Sequence, residues 1–227
     1  MTEAEWLAAT DPVPMLDYLR GKSSDRKLRL FDIGCCQRLS RIIENEPAWV
    51  GGLDAAEQFA DGKIGASELG RWHEEISNWE GSLADFRLPL IQTHGSLFAV
   101  TLLERDDSSH GVQYSVRLAM TELAVELEGA ACVQRVSEEQ SQVSSRLLRE
   151  IIGNPFRPVT FAPDWRTSTV AAIARGMYES RDFSPMSLLA DALQDAGCDN
   201  EDILNHCRSN GPHVRGCWVV DLILAKN

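Results

Sequence analysis

The segment ASELGRWHEEISNWEGSLADF, residues 66–86, carries the clearest helical periodicity in the chain and decides the fold class. Large apolar side chains recur in it at alternating steps of three and four residues, at Leu69, Trp72, Ile76, Trp79, Leu83 and Phe86. This spacing aligns them on one face of an α-helix, as a narrow seam along which helices pack lengthwise. The segment therefore predicts a long amphipathic helix whose aromatic side chains belong to a core rather than to a ligand-binding surface.

Helix-start signals lie on the N-terminal side of this seam. Thr2 and Glu5 have the spacing of a capping box, and Asp11 precedes a proline that suits the first position of a helix. Ser23 and Ser24 are placed to begin a third, longer helix. Residues 47–52 combine a proline with two glycines, which predicts a break in the helical pattern.

The helical pattern resumes on the C-terminal side. A second long helix is predicted from Val112, and after a weaker break near Ser137 another helix ends at Gly153. The last third of the chain is predicted to hold four more helices, over 167–178, 184–196, 200–208 and 218–224. The sequence thus predicts an all-α fold, a multi-helix, bundle-like array with a compact helical C-terminal half.

A polar, turn-rich stretch divides the chain at Glu104–Gly111. It predicts an N-terminal helical half over residues 1–105 and a second unit over 112–227, which contains the second long helix and the C-terminal helical subdomain. The alternative is one continuous domain. A chain of 227 residues suits either arrangement.

The charge balance bears on partners and location. The chain has 22 Lys and Arg against 34 Asp and Glu, a formal net charge of −12, and a field of that sign disfavours nucleic acids and anionic membranes. The start of the chain is acidic and lacks the apolar region of a secretory signal. The longest stretch without charged residues, 88–103, is shorter than a membrane span. We therefore expect an acidic cytoplasmic protein with reduced cysteines and no nucleic-acid or membrane partner.

Two groups of segments near the ends of the chain form a recognisable pattern. They are LRGK at 19–22, SDRKLRLF at 24–31, CC at 35–36, NPFRP at 154–158, LADAL at 189–193, AGC at 196–198, HCR at 206–208 and GPHVRGCWVVD at 211–221. The pattern resembles that of an uncharacterised bacterial protein family. The resemblance covers about half of the chain, and residues 70–143 depart from the Ala- and Trp-rich helices of that family. It implies a helical bacterial protein and transfers no activity, ligand or catalytic residue.

Cysteines and histidines concentrate near the C terminus, at Cys198, His206, Cys207, His213 and Cys217. Zinc takes four thiolate or imidazole ligands in a tetrahedron, and on a helix His213 and Cys217 would lie one turn apart. A zinc site of Cys198, Cys207, His213 and Cys217 is therefore one hypothesis. The spacing matches no recurring finger or ribbon pattern, however, and buried cysteines are common for packing reasons alone. We predict core thiols beside a hydrogen-bonded histidine and no cofactor, with zinc as the alternative.

The same residues offer a further alternative, a catalytic Cys–His pair. Such a pair needs a thiolate beside an imidazole and a third group that orients the ring. Cys217, His213 and Asp221 would fill these three roles. Sequence spacing gives no evidence that the three side chains lie together.

Two classes of function follow from these observations. The first is a helical protein–protein interaction or regulatory module that presents a helix face to another protein, and it is favoured because the sequence holds no recognisable catalytic motif. The alternative is an enzyme or metal-dependent sensor centred on the C-terminal Cys and His residues. The seam from Leu69 to Phe86 is compatible with a homo-oligomer, and the alternative is a seam that lies wholly inside the protein.

Overall fold

The computed structural model describes residues 1–38, 47–82 and 132–226, with the backbone alone for 77–82. Within these ranges the chain forms ten α-helices, one 3-10 helix at Pro163–Trp165 and no β-strand, which confirms the predicted all-α fold. None of these helices has the length and apolar character that a membrane span requires. The α-helices are α1 Glu3–Ala8, α2 Pro12–Leu19, α3 Asp25–Gln37, α4 Pro47–Ala60, α5 Ala66–Ser82, α6 Val133–Ile152, α7 Ser168–Ser180, α8 Met186–Asp195, α9 Glu201–Arg208 and α10 Trp218–Leu224.

The caps predicted from the sequence begin the first three helices. Thr2 and Glu5 form the reciprocal capping box of α1. The side chains of Asp11 and Ser24 accept backbone amide hydrogen bonds at the starts of α2 and α3. Gly153 ends α6 with a φ of 77°, a conformation that glycine adopts without a steric penalty.

The predicted break over residues 47–52 is wrong, because α4 begins at Pro47 and continues through both glycines to Ala60. Proline is tolerated in the first turn of a helix, where its missing N–H has no intrahelical acceptor. Gly51 lies directly against the indole ring of Trp72 on α5, so a side chain at this position would collide with the ring. Gly51 therefore marks a close crossing of α4 and α5.

The weaker break predicted near Ser137 is also wrong, since α6 runs without interruption from Val133 to Ile152. Serine lowers helix propensity by only a few tenths of a kcal/mol to about 0.7 kcal/mol. Burial of one face of α6 outweighs that cost, because most helix stability in proteins comes from packing. The buried apolar residues of this face are Val136, Leu147, Leu148 and Ile151.

The buried side chains form two hydrophobic clusters. The first core is formed by residues of helices α1 to α6 and includes Trp6, Phe31 and Trp49, together with the seam residues Leu69 and Ile76. The second core lies among α7, α8, α9 and α10. Helix α6 contacts α2 and α3 and also α10, so its last turn lies where the two cores meet.

The first half of the seam is structural. Leu69 and Ile76 are fully buried, and Trp72 packs against the first core as a partly buried side chain. The side chains of Trp79, Leu83 and Phe86 lie outside the described residues, as do the helix predicted from Val112 and the division predicted at Glu104–Gly111.

A network of buried ion pairs joins the two cores. Arg26 at the start of α3 donates hydrogen bonds to Asp61 over 3.1 Å and to Asp221 on α10 over 2.7 Å. Arg215, in the loop before α10, donates to Asp61 over 2.9 Å and to Glu57 on α4 over 2.8 Å. These contacts fix α10 against α3 and α4.

Candidate metal centre

Four side chains with metal-binding groups converge at the junction of the two cores. Glu150, His206, His213 and Cys217 each direct one ligand atom into the same space, and these atoms lie within 4.8 Å of one another. Glu150 belongs to the last turn of α6, His206 to α9, and Cys217 is the residue before α10. His213 lies in the loop that connects α9 to α10.

Local backbone features bring the C-terminal residues to this place. The Asn200 side chain accepts a hydrogen bond from the Ile203 amide and so caps the N-terminus of α9, which begins at Glu201. Gly216 has a φ of 94°, and a Cβ on it would lie 2.9 Å from the Leu30 side chain on α3. Only glycine permits both this backbone conformation and this close approach. Gly216 thereby sets Cys217 at the start of α10, facing the cluster.

His213 has both ring nitrogens engaged. Its Nδ1 lies 3.2 Å from Oε1 of Glu150, and its Nε2 lies 3.2 Å from the backbone carbonyl oxygen of Ser209. A carbonyl oxygen only accepts, so Nε2 carries a proton. Nδ1 therefore faces the cluster either with a second proton, as an imidazolium, or with a lone pair for a metal.

His206 is held in the opposite way. The indole Nε1 of Trp218 lies 3.1 Å from His206 Nδ1, and because an indole N–H only donates, Nδ1 is the acceptor. The proton of the neutral ring is then on Nε2, which lies 3.2 Å from the Cys217 sulfur and 3.3 Å from Oε2 of Glu150.

The electrostatics of the cluster follow from burial and from Glu150. Burial alone would raise the pKa of Glu150, but the hydrogen bonds from His206 and His213 and the attraction to His213 hold it below its ordinary value. Burial would lower the pKa of His213, but its hydrogen bond and attraction to Glu150 raise it. Burial raises the pKa of the Cys217 thiol well above its ordinary value, and the Glu150 carboxylate adds to this. Without a metal, these shifts favour a Glu150 carboxylate paired with a protonated His213 beside a neutral thiol.

Of the four residues in the alternative zinc hypothesis, His213 and Cys217 lie in this cluster. Cys198 and Cys207 are buried in the second core, and burial raises the pKa of the Cys207 thiol to about 12. His206, noted in the sequence but not among the four, lies in the cluster.

Asp221, the third member of the alternative catalytic group, lies outside the cluster. The Asp221 carboxylate accepts hydrogen bonds from Arg26 and pairs with Lys27 over 2.6 Å. The acid beside His213 is instead Glu150. The Cys217 side chain is fully buried, and a raised thiol pKa disfavours the thiolate that a nucleophile requires.

Sequence reasoning missed Glu150. It is separated from His213 by 63 positions, and no local motif links the two. One signal was available: Glu150 interrupts the buried face of α6 that Leu147, Leu148 and Ile151 form. A charged residue on such a face is buried only when it is paired, so its position called for a cationic or metal partner elsewhere in the chain.

A carboxylate, two imidazoles and a thiol at this spacing support two kinds of chemistry. They can form a closed hydrogen-bonded cluster around the Glu150–His213 ion pair, or they can coordinate a divalent metal ion. No family model matches this sequence, and no curated protein or solved structure matches it either.

Proposed function

We propose that the protein is a zinc-binding helical module in which Glu150, His206, His213 and Cys217 hold one Zn²⁺ ion at the junction of its two cores. The donor set supports zinc, which is bound by thiolate, imidazole and carboxylate groups in a tetrahedron. Zinc bonds of 2.0–2.3 Å keep neighbouring ligand atoms roughly 3.3–3.8 Å apart. The contacts of 3.2 Å between His206 and Cys217 and between His213 and Glu150 are close to that spacing.

The hydrogen bond between His213 Nε2 and the Ser209 carbonyl is the observation that carries the proposal. Metal-binding histidines almost always donate their second ring N–H to a carbonyl or carboxylate, which fixes the tautomer and the ring orientation. In His213 this contact leaves Nδ1 as the atom that faces the three other ligand groups. The carbonyl of Ser209 thus supplies the outer contact that a zinc ligand needs.

Structural zinc sites in general release enough free energy to deprotonate their ligands. Zinc would displace the Nδ1 proton of His213 and the thiol proton of Cys217. Each pKa unit by which a ligand lies above the ambient pH costs about 1.4 kcal/mol. Structural zinc sites supply on the order of 10–16 kcal/mol, so even a strongly raised thiol pKa is compatible with binding.

A structural or regulatory role fits the burial of the site. The side-chain exposures of Glu150, His206 and His213 are 4%, 15% and 7%, and Cys217 is fully buried. Catalytic zinc keeps an open position for substrate, whereas structural zinc is enclosed. A zinc ion here would connect the end of α6, in the first core, to α9 and α10, in the second.

Metal analysis and one pair of cysteine variants test this proposal. Protein purified without a histidine tag should contain close to one zinc per chain, and Cys217→Ser should lose it. Cys207→Ser is the matched control, because Cys207 is equally buried on α9 but lies outside the cluster; it should keep its zinc. Equal zinc content in wild type and Cys217→Ser, or no zinc in wild type even after exposure to zinc salts, would contradict the proposal.

A cytoplasmic location belongs to the proposal as well. The described cysteines, six in number, are all free thiols, which fits a reducing compartment. A protein–protein interaction surface stays a prediction from the sequence. Among the residues whose side chains the structure describes, the exposed large apolar side chains are Leu7, Val50, Val133 and Leu188, and they belong to four different helices.

A further inference from the structure

The two histidines of the cluster differ in the tautomer that their outer hydrogen bonds select. His213 donates its outer N–H to a carbonyl and is already in the tautomer that leaves Nδ1 available for coordination. His206 accepts a hydrogen bond at its outer nitrogen from Trp218, so its proton is on Nε2, the atom that faces Cys217 and Glu150. An N–H at that position leaves no lone pair for a metal and directs a partial positive charge at the place where a cation would be coordinated.

Coordination by His206 therefore requires a change of tautomer. The Nε2 proton leaves to solvent, and Nδ1 takes up a proton from solvent, so that the ring stays neutral and no net proton is exchanged at this residue. The new Nδ1–H then points at the indole N–H of Trp218. Two donors cannot share a hydrogen bond, so the contact of 3.1 Å between these nitrogens is lost.

The surroundings of Trp218 determine which way its ring can move. On one side the indole packs closely against Gly153, since a Cβ atom added to this glycine would lie only 3.1 Å from the ring. On another side it borders a cavity of about 470 Å³ that Lys22, Asn154 and Asp202 also line. An indole released from His206 has room to tilt into this cavity, where Asp202 offers a carboxylate acceptor.

We infer that Trp218 regulates the proposed zinc site: its indole N–H opposes metal binding by holding His206 in the wrong tautomer, and zinc entry breaks this hydrogen bond and releases the indole. This inference rests on the proposed function. In this role Trp218 positions the His206 ring, and the movement of its indole indicates that zinc is bound.

The substitution Trp218→Phe tests the inference, because phenylalanine keeps an aromatic ring and removes the donor. Zinc affinity, measured by competition with a chromophoric chelator, should be about fivefold tighter than in wild type, the factor expected of one net hydrogen bond. Trp165→Phe is the control. Trp165 packs against the second core and is not one of the cluster residues, and its replacement should leave the zinc affinity unchanged.

Nitrogen-15 NMR of the wild-type protein provides a second test that needs no variant. Long-range proton–nitrogen correlations should assign the Nε2–H tautomer to His206 in zinc-free protein and the Nδ1–H tautomer after zinc is added. The indole N–H resonance of Trp218 should shift in the same titration. Zinc binding with His206 unchanged and no gain in Trp218→Phe would overturn the inference and leave a site of three protein ligands. Failure of all forms to bind zinc would overturn the proposed function and the inference with it.

Discussion

Arg26 on α3 donates two hydrogen bonds to Asp221 on α10, from Nη1 to Oδ2 over 2.7 Å and from Nη2 to Oδ1 over 3.2 Å. The two residues are 195 positions apart in the chain, so this pair closes the structure between its N-terminal and C-terminal regions. Lys27 adds an ion pair to the same carboxylate and also donates to the backbone carbonyls of Ile151 and Gly216. The start of α10, and with it Cys217, is therefore held in place by charges as well as by apolar packing.

Removal of the Asp221 charge should strongly destabilise the protein. Asp221→Asn leaves Arg26 and Lys27 beside a neutral amide in a buried place, and breaking a buried ion pair costs about 3–5 kcal/mol. We expect a loss near the lower limit, because Arg26 keeps its second partner, Asp61. Urea denaturation measures the free energy of unfolding.

Glu139→Gln is the control for that experiment. It breaks the exposed pair that Glu139 forms with Arg135 on α6, and surface pairs of this kind contribute at most about 1 kcal/mol. Equal losses in the two variants would mean that the Asp221 pair is solvated and that α10 is held by packing alone.

The pH dependence of stability should report on Asp61. Burial alone would raise the pKa of this carboxyl, but the hydrogen bond from Tyr178 and the charges of Lys226, Arg26 and Arg215 hold it below its ordinary value of 3.8. A carboxyl with a lowered pKa in the folded state stabilises the protein above its unfolded pKa. This contribution is lost as the pH falls from about 3.8 through the folded pKa.

The variant Asp61→Asn isolates this contribution. It should be less stable than wild type at neutral pH, and the difference should shrink as the pH falls below 3.8, because wild-type Asp61 becomes protonated there. Unfolding free energies measured over a pH series give the two curves. A constant difference at all pH values would show that Asp61 does not titrate in this range.

Two glycines in neighbouring helices should respond in opposite directions to the same substitution. Gly51→Ala places a methyl group into the ring of Trp72 and should destabilise the protein by about 1–3 kcal/mol through overpacking. Gly70 on α5 has no heavy atom within 4 Å of an added Cβ, so Gly70→Ala should stabilise the helix by about 0.5–1 kcal/mol. Thermal unfolding of both variants is the measurement, and a stabilised Gly51→Ala would contradict the close crossing of α4 and α5.

Local signals in the sequence predicted the helices and their caps. The hydroxyl of Thr2 and the carboxylate of Asp11 act on amides two or three residues away, so a short stretch of sequence contains the whole interaction. Gly51 shows where such reasoning fails. A glycine that permits a close helix crossing and a glycine that ends a helix look alike until the partner, here Trp72, is known.

The candidate site was harder to predict than the helices, because it depends on contacts between segments that are distant in the sequence. His213 and Cys217 were identified from residue type, because few other side chains bind zinc. Glu150 stood out only as a charge on the buried face of α6. Its partners and the tautomers of the two histidines were not predictable, since each depends on a neighbour that only tertiary packing supplies. The carbonyl of Ser209 and the indole of Trp218 give two chemically identical rings opposite roles.

Zinc removal should loosen the C-terminal segment before the rest of the protein. A ligand that binds only the folded state stabilises it by about 2.7 kcal/mol when its free concentration is roughly 100 times the dissociation constant. The proposed ligands His206, His213 and Cys217 belong to α9, to the loop after it and to the start of α10, whereas Glu150 anchors them to α6. Hydrogen exchange should therefore be faster in residues 201–224 when a strong chelator is present than when it is absent, with little change in α3 and α4.

The variant Glu150→Gln, which keeps the size of the side chain and removes its charge, should show the fast exchange in α9 and α10 without chelator and no further response to it. If chelation accelerates exchange equally in all helices, zinc stabilises the fold as a whole and does not act as a local anchor of α9 and α10.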